Sequence, residues 1–378
     1  MKAVIVGHAP IRSANRTVYR KLAASGVDVC VVVPSSWKSA FGSLEPEPES
    51  DASGIRVVAR PRRGLSHSNC YWLAGSLDDV LERGERGAVY ADEDPAGFAA
   101  AQAARAARRA GYGFVLLGIQ NISKRYPPPF SALQRCAFRT ARAAVATTEQ
   151  ASRVLRSRGF DGPTIVMPFA TDLAPLAPHL RAQIRSRLSA GACSADDPLV
   201  GFVGRLVDEK GVDVLLRALA QLDGVRCVVV GDGPQRARLE MLASRLGIAG
   251  RTYFLGALAP SDAARTIGAL DVMVLPSRTT RTWSEQFGRV LIEAMACGAR
   301  VVASKSGAIP EVVGDAGLLV AEDDVDGFAR AIAGMLDRGA ANRWARKGLE
   351  RVAKRYSTDA AAAALHQALA LAAGSPAC

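Results

Sequence analysis

Apolar residues fall in short continuous runs, separated by glycine-containing turns and by Ala- and Leu-rich stretches with helical spacing. The runs "KAVIV", "VDVCVVVP" and "IRVVARP" are rich in β-branched residues and do not alternate, as in strands buried on both faces of a parallel sheet. After the first run, "ANRTVYRKLAASG" has helical spacing, with Ser13 as the expected N-cap and Gly26 as the stop. The first half continues with a helix expected over 77–83, a strand in "AVYADEDP", an Ala-rich helix closing at Gly111 and a strand in "YGFVLLGIQN". Prolines open the helix of "PPPFSALQRCAFRTA", and strands follow in "AAVATTEQ" and "PTIVMPF".

The pattern breaks between Thr171 and Pro198, where Pro175 and Pro178 precede an expected charged helix, "HLRAQIRSRLSAG", and then the polar "CSADDP". This reads as an interdomain connection. Alternation then restarts with strands in "LVGFVGRL", "VRCVVVGDG", "RTYFLGAL", "DVMVLPS", "ARVVAS" and "GLLVA". Helices are expected over 212–221, 235–246, 261–270 and 288–297, and the tail from Val325 to Ala373 is nearly all helical. Strands alternating with helices of this length argue for βαβ units. The expected fold is therefore α/β, two doubly wound Rossmann-like domains facing each other. The expected boundaries are 1–175, a connection over 176–198, a second domain over 199–355, and a terminal helix over 356–378.

Composition bounds this picture without redirecting it. A chain of 378 residues with 49% apolar and 22% charged positions suits two globular domains. No apolar run reaches the roughly 18–20 residues of a membrane span. The opening "MKAVIVGHAP" is too short for a leader h-region and reads as a first strand. Seven scattered cysteines, with no C-x-x-C, favour reduced thiols and a cytoplasmic setting. The Ala- and Arg-rich usage points to a high-GC bacterium. The net charge of +12 is uneven: between Ala101 and Phe160, eleven Lys and Arg residues face only Glu149. A solvated helical face is the plain reading; attraction to an anionic membrane face or an anionic acceptor is the sharper one. No nucleic-acid-binding motif accompanies the charge, so a nucleic-acid partner is not expected.

Ligands of open parallel sheets bind beyond the carboxyl ends of the strands, so the residues just after each strand carry the chemistry. In "GRLVDEKG", Gly204 turns the chain, and Arg205 and Lys210 flank the start of a helix, a seat for phosphate or simply surface cations. In "GDGP", Gly231 and Gly233 permit either a tight turn or the close approach of a base. No G-x-G-x-x-G fingerprint is present, which disfavours a nicotinamide enzyme. "SEQFGRVLIE" places Glu285 before a helix and Glu293 within it, with Gly288 near the helix start. On one side of a helix, such carboxylates accept hydrogen bonds from vicinal diols. No D-x-D motif is placed for a metal; the "DED" of Asp92–Asp94 reads as a carboxylate cluster, and no metal or other cofactor is expected.

Taken in order, "GRLVDEKG", "VVVGDGP", "YFLGAL" and "LPSRTTRTWSEQFGRVLIEAMACGARVVASKSGAIPEVVGDAGLLV" resemble the retaining, nucleotide-sugar-dependent glycosyltransferases of family 4, which have the GT-B fold. The resemblance covers about Leu199–Ala321, with Glu285 and Glu293 matching the family's E-x7-E motif; it is looser in the first half. It implies transfer of a hexose-type sugar from a nucleoside-diphosphate donor to an acceptor hydroxyl without a metal. Arg205 and Lys210 would neutralise the donor diphosphate, and Glu293 would accept from the ribose. Glu285 would contact the transferred sugar, while Gln286, Phe287, Gly288, Arg289 and Val290 would present the helix start to phosphate. The base would lie near Gly231, Gly233 and Leu258, and the last helix would return to the first domain.

The sequence departs from that pattern in the first half. The Gly-Gly pair common after the first strand is replaced by "HAPIRSAN", so Ser13, Asn15 or Arg16 would meet the phosphates or serve the acceptor, with His8 also at the strand end. The usual histidine after a later strand is missing; Glu93 and Asp94 stand there, with Gln120 and Asn121 after the next strand. Glu93 and Asp94 are therefore the candidates for assisting catalysis beside Glu285. The rival readings are a GT-B epimerase or hydrolase acting on the donor alone, and a catalytically silent nucleotide-binding subunit. Retention of both Glu285 and Glu293 argues against the silent subunit.

Overall fold

A computed structural model describes residues 1–39, 42–82, 86–188 and 197–374. The chain divides into two compact units: unit 1 holds 1–170 and 358–378, and unit 2 holds 171–357.

Unit 1 begins with β1 (Lys2–Val6), α1 (Thr17–Ala24) and β2 (Asp28–Pro34), followed by an antiparallel pair, β3 (Trp37–Ser39) and β4 (Gly42–Leu44). Next come β5 (Ile55–Arg60) and a second small pair, β6 (Arg62–Gly64) and β7 (Tyr71–Leu73). Then follow β8 (Gly87–Ala91), α2 (Phe98–Ala110), β9 (Gly113–Gly118), α3 (Phe130–Thr140), β10 (Ala143–Ala146), α4 (Glu149–Ser157) and β11 (Thr164–Val166). The main sheet has the order β11-β10-β9-β8-β1-β2-β5, parallel throughout. Period-two geometry splits β1 between two cores. Val4 and Val6 pack with the alanine stripe of α2 and with Phe138 and Leu155, while Ala3 and Ile5 pack with Tyr19 and Leu22 of α1. Both faces are covered, which is why these strands read as unbroken apolar runs.

Unit 2 contains α5 (Pro178–Leu188), β12 (Leu199–Val203), α6 (Val212–Leu219), β13 (Arg226–Val230), α7 (Arg236–Arg245), β14 (Thr252–Gly256), α8 (Pro260–Ala269) and β15 (Val272–Leu275). It continues through α9 (Arg289–Ala296), β16 (Arg300–Ser304), α10 (Ile309–Val313), β17 (Leu318–Val320), α11 (Val325–Leu336) and α12 (Arg338–Arg355). Its parallel sheet has the order β14-β13-β12-β15-β16-β17. The chain then completes unit 1 with α13 (Thr358–Ala372), whose Leu365 and Leu369 join the core of Tyr19 and Leu22.

Three local expectations are corrected. Ser13 does not cap a helix; residues 13–16 form a 3-10 turn and α1 starts at Thr17. Residues 76–82 are turns rather than a helix (Arg83 lies outside the described residues). There the Ser76 hydroxyl accepts from the Asp78 N–H at 3.1 Å, a side-chain bond that competes with helical pairing. The charged helix expected in the connection forms, as α5, but it packs on α8 and belongs to unit 2. Arg181 and Arg185 of α5 donate to Asp271 at 2.7 and 3.0 Å, and the Leu199 N–H donates to the same carboxylate at 2.8 Å. Burial raises the Asp271 carboxyl, and the Leu199 N–H and the two arginines outweigh it, holding the group below its ordinary range.

Candidate active site

A doubly wound sheet offers a ligand seat where successive connections leave in opposite directions. In unit 2 that point lies between β12 and β15, since β13 and β14 extend from one side of β12 and β15 lies on the other. The loop after β12 carries Gly204, Arg205 and Lys210; the loop after β15 carries Ser277, Arg278 and Glu285. The loops pack backbone to backbone. Gly211 has φ 65°, and a Cβ there would stand 2.0 Å from the Pro276 carbonyl oxygen, so only glycine lets the Lys210 turn reach the end of β15. Arg278 fastens the same junction. Its N–H donates to the Glu209 carbonyl at 2.8 Å, and its guanidinium donates two bonds of 2.8 Å to the Asp213 carboxylate at the start of α6. Burial raises the Asp213 carboxyl, but Arg278 outweighs it and holds it below its ordinary range.

The result is a charged pair at the seat. Lys210 Nζ lies 2.5 Å from Glu285 Oε2, which also accepts from the Ser277 hydroxyl at 2.9 Å. The ammonium stands 5.1 Å from the centre of the Trp283 ring. Arg205 is exposed beside the pair in sequence and has no side-chain hydrogen bond or ion pair among the described residues. Glu293 is a turn into α9, half-buried and 3.9 Å from Arg289. Burial raises its carboxyl above the ordinary value, and Arg289 only partly opposes this. Residues 285–288 precede the helix, whose N-cap is Gly288 at φ 78°. Glu285 and Glu293 therefore do not share a helix face as expected; each has its own partner.

Unit 1 has its own switch point, between β1 and β8. The loop after β1 carries His8 and that after β8 carries Asp92, Glu93 and Asp94. Glu93 is fully buried, and its Oε1 accepts from the His8 N–H at 2.7 Å and the Tyr71 hydroxyl at 2.6 Å, with His8 Nδ1 at 2.5 Å. Its Oε2 is buried with no hydrogen-bond partner among the described residues. The His8 ring stacks on Trp37 at 4.2 Å and remains 28% exposed, so the imidazole is the accessible end of the pair. Burial lowers the His8 pKa, but the hydrogen bond and charge of Glu93, with Asp92 behind it, outweigh burial and raise it above 6.5. Asp92 accepts from the Tyr19 hydroxyl at 2.9 Å; burial and the adjacent Glu93 push its carboxyl up to about 6. Among the described residues, no group of three or more His, Cys, Asp or Glu side chains is placed to hold a metal ion.

Residues 190–351 match the model of the family described as glycosyl transferases group 1. This stretch is a group 1 glycosyl transferase domain. The chain is similar to the D-inositol 3-phosphate glycosyltransferase of Mycobacterium ulcerans (strain Agy99), 39% identical over 201 residues, 51% of this chain and 42% of the relative. The protein of that name from Mycobacterium avium (strain 104) is 40% identical over 160 residues, 40% of this chain and 36% of the relative. The match thus spans less than half the length of these curated relatives. Whole-chain likeness comes from solved structures. Sucrose-phosphate synthase from Thermosynechococcus elongatus has a TM-score of 0.71 at 22% identity, covering 97% of this chain and 98% of that one. Anabaena HepE, solved with UDP and glucose, has a TM-score of 0.70 at 20% identity, with coverage of 97% and 98%. The fold is GT-B, as the resemblance implied.

Within the glycosyl transferase domain, Lys210 and Glu285 are brought together, while Gly231 and Gly233 serve the backbone. A Cβ on either would fall 1.8 Å from the Gly204 oxygen or 2.4 Å from the Leu206 oxygen, so these glycines admit the neighbouring loop. Phe287 is buried edge-on against Tyr356, 5.9 Å away, leaving only its backbone to face a ligand. Gln286, Val290 and Leu258 are half-buried. Outside the domain, several candidates are spent internally. Arg16 is fully buried, donating to the carbonyls of Pro10, Ile11 and Glu47 at 2.7–3.0 Å and to Glu49, so it does not reach a phosphate. The Ser13 hydroxyl accepts from Arg20 at 2.5 Å, and Asn15 donates to the Ala9 carbonyl at 2.8 Å. Asp94 is buried, accepting from the Ala96 N–H, Gln120 and the Tyr126 hydroxyl at 2.9–3.1 Å, which ties up Gln120 as well. The Asn121 carbonyl accepts from Gln150 at 3.3 Å. Sequence reasoning missed Trp37, Tyr71 and Arg278. Only the "PSR" preceding the E-x7-E stretch offered a signal for one of them.

Proposed function

We propose that the chain is a retaining, metal-independent glycosyltransferase of family 4. It moves a hexose-type sugar from a nucleoside-diphosphate donor to an acceptor hydroxyl. The observation that carries this reading is the Lys210–Glu285 pair at the switch point of a group 1 glycosyl transferase domain. A donor diphosphate draws Lys210 from its carboxylate partner, and Arg205 supplies a second cation. Both oppose the negative charge that grows on the departing nucleoside diphosphate. Glu285, parted from Lys210, accepts from sugar hydroxyls, and Glu293 accepts from the ribose. The N–H groups at the start of α9 face the phosphate, aided by the helix dipole. The C1–phosphate bond breaks and its electron pair leaves with the nucleoside diphosphate, an oxocarbenium-like centre forms, and the acceptor oxygen bonds to C1 on the same face as its proton passes to the departing phosphate.

His8 is the unit 1 group that reaches substrate, with Glu93 behind it as the orienting carboxylate. The acceptor is a polysaccharide or glycolipid intermediate or a small molecule; a phosphorylated polyol, as in the mycobacterial relatives' name, falls in the last class. The setting is the bacterial cytoplasm, with the cationic face of unit 1 available to an anionic membrane surface. A thermal-shift series over nucleoside diphosphates and their sugars tests the donor reading. A ligand at one hundred times its Kd stabilises the fold by about 2.7 kcal/mol. The matching nucleotide raises the midpoint, and no shift with any nucleotide overturns the reading. Product anomeric configuration, compared with the donor's, tests retention.

A further inference from the structure

A cluster of uncompensated positive charge in unit 1 lies at the end of the sheet opposite its switch point. A concavity of about 540 Å³ is lined by Arg108 near the end of α2, by Arg135 and Arg139 of α3, and by Arg142 just before β10. A second, of about 420 Å³, shares Arg135 and Arg139 and adds Arg158. Arg142 donates to the Ala372 carbonyl at 3.2 Å, and Arg158 donates to Gln134 at 3.0 Å. None of the five forms an ion pair among the described residues; Arg108, Arg135 and Arg139 have no side-chain hydrogen bond either. No carboxylate lines the first concavity, and Asp161 alone lines the second.

Helix dipoles do not account for this arrangement. They favour Arg108 and Arg139 in the last turns of their helices only weakly. Arg135 sits in mid-helix and Arg142 outside one, yet both line the same hollow. Guanidinium groups that share a hollow repel one another unless an anion sits among them, and their planar forks suit phosphate oxygens. We propose that this hollow binds a phosphate-bearing group, at a site separate from the donor seat. Its ligand is a phospholipid headgroup or a free phosphate compound, since the recognition chemistry is common to both.

Hydrogen–deuterium exchange on the full chain tests this, with pyrophosphate as one probe and phosphatidylglycerol vesicles as the other. Phosphatidylcholine vesicles serve as the blank. Protection over 105–112 and 131–142 is expected with at least one probe. Protection by vesicles alone assigns the site to a headgroup; protection by pyrophosphate, with or without vesicles, assigns it to phosphate itself. Protection confined to 204–211 and 285–293, or none with either probe, overturns the proposal. That outcome differs from failure of the donor reading, which would leave nucleotides unable to protect 204–211. An Arg135→Gln, Arg139→Gln variant should bind the effective probe at least tenfold more weakly. It should also keep its nucleotide thermal shift, which shows that it is folded. Equal binding by the variant also overturns the proposal.

Discussion

The two units build the same device from different chemistry. Each puts a nitrogen base on the loop after its first strand and a glutamate on the loop across the switch point. Both pairs close at 2.5 Å: Lys210 with Glu285, and His8 with Glu93. The surroundings diverge. In unit 2 the loops are clamped by Arg278 and by glycine contacts, leaving Arg205 exposed with no side-chain partner among the described residues. In unit 1 the candidate phosphate ligands fold inward: Arg16, Ser13 and Asn15 bind their own loop. A shared fold fixes where a site sits; the loop's internal hydrogen bonding decides which charges remain for a ligand.

The largest expected effect breaks the unit 2 pair. Lys210→Ala should lower kcat by about 10²–10³, the usual cost of losing one transition-state donor. It should also cost about 3 kcal/mol of stability, because Glu285 is left buried without its cation. Adding Glu285→Gln should restore much of the melting temperature and none of the turnover. Recovery of turnover in the double variant would sink the assigned roles.

Arg16→Ala tests the contrast from the other side. It strips donors from the buried Pro10 and Ile11 carbonyls, from the part-buried Glu47 carbonyl and from Glu49, whose carboxyl Arg20 and Arg16 hold at about 2. Unsatisfied buried acceptors cost about 1–3 kcal/mol each, so a loss of about 3 kcal/mol is expected in chemical denaturation. Nucleotide affinity should stay within twofold. A tenfold loss of affinity in a folded variant would return Arg16 to the phosphate site.

Arg278→Lys is a finer perturbation. Lysine keeps the charge but cannot form the bidentate bond to Asp213. The Lys210 turn should loosen, and donor KM should rise about tenfold with kcat within threefold. A change in stability alone, with KM unmoved, would make Arg278 merely structural.

These contrasts also show where sequence reasoning reached. Strands were readable because burial on both faces leaves unbroken β-branched runs, and the residues that line the unit 2 switch point were readable because they follow those strands within a few positions. What escaped depends on separation along the chain. Tyr71 meets Glu93 from a hairpin whose strands are three residues each, too short for periodicity. Trp37 reaches His8 from another such hairpin. Arg16 and Asp94 looked available because strand-end position reports proximity to a site and not prior commitment to a local turn. α4 escaped although Thr148 caps it, its hydroxyl accepting from the Ala151 N–H at 3.0 Å.

The smallest expected effect separates the two pairs by pH. His8 titrates above 6.5 in the fold, so its pairing with Glu93 stabilises unit 1 fully below pH 6.5. That contribution is lost as pH rises through the folded value. Asp92 works in the same direction at lower pH. Its carboxyl is raised from 3.8 to about 6, so the fold holds a proton that the unfolded chain releases, and stability falls between about pH 4 and 6. Denaturation monitored at unit 1 should therefore show stability declining from pH 4 to above 6.5. His8→Gln should flatten the upper part of that decline and Asp92→Asn the lower part. Equal slopes for wild type and His8→Gln above pH 6 would show that the unit 1 pair carries no titrating charge, leaving the likeness between the two switch points one of geometry alone.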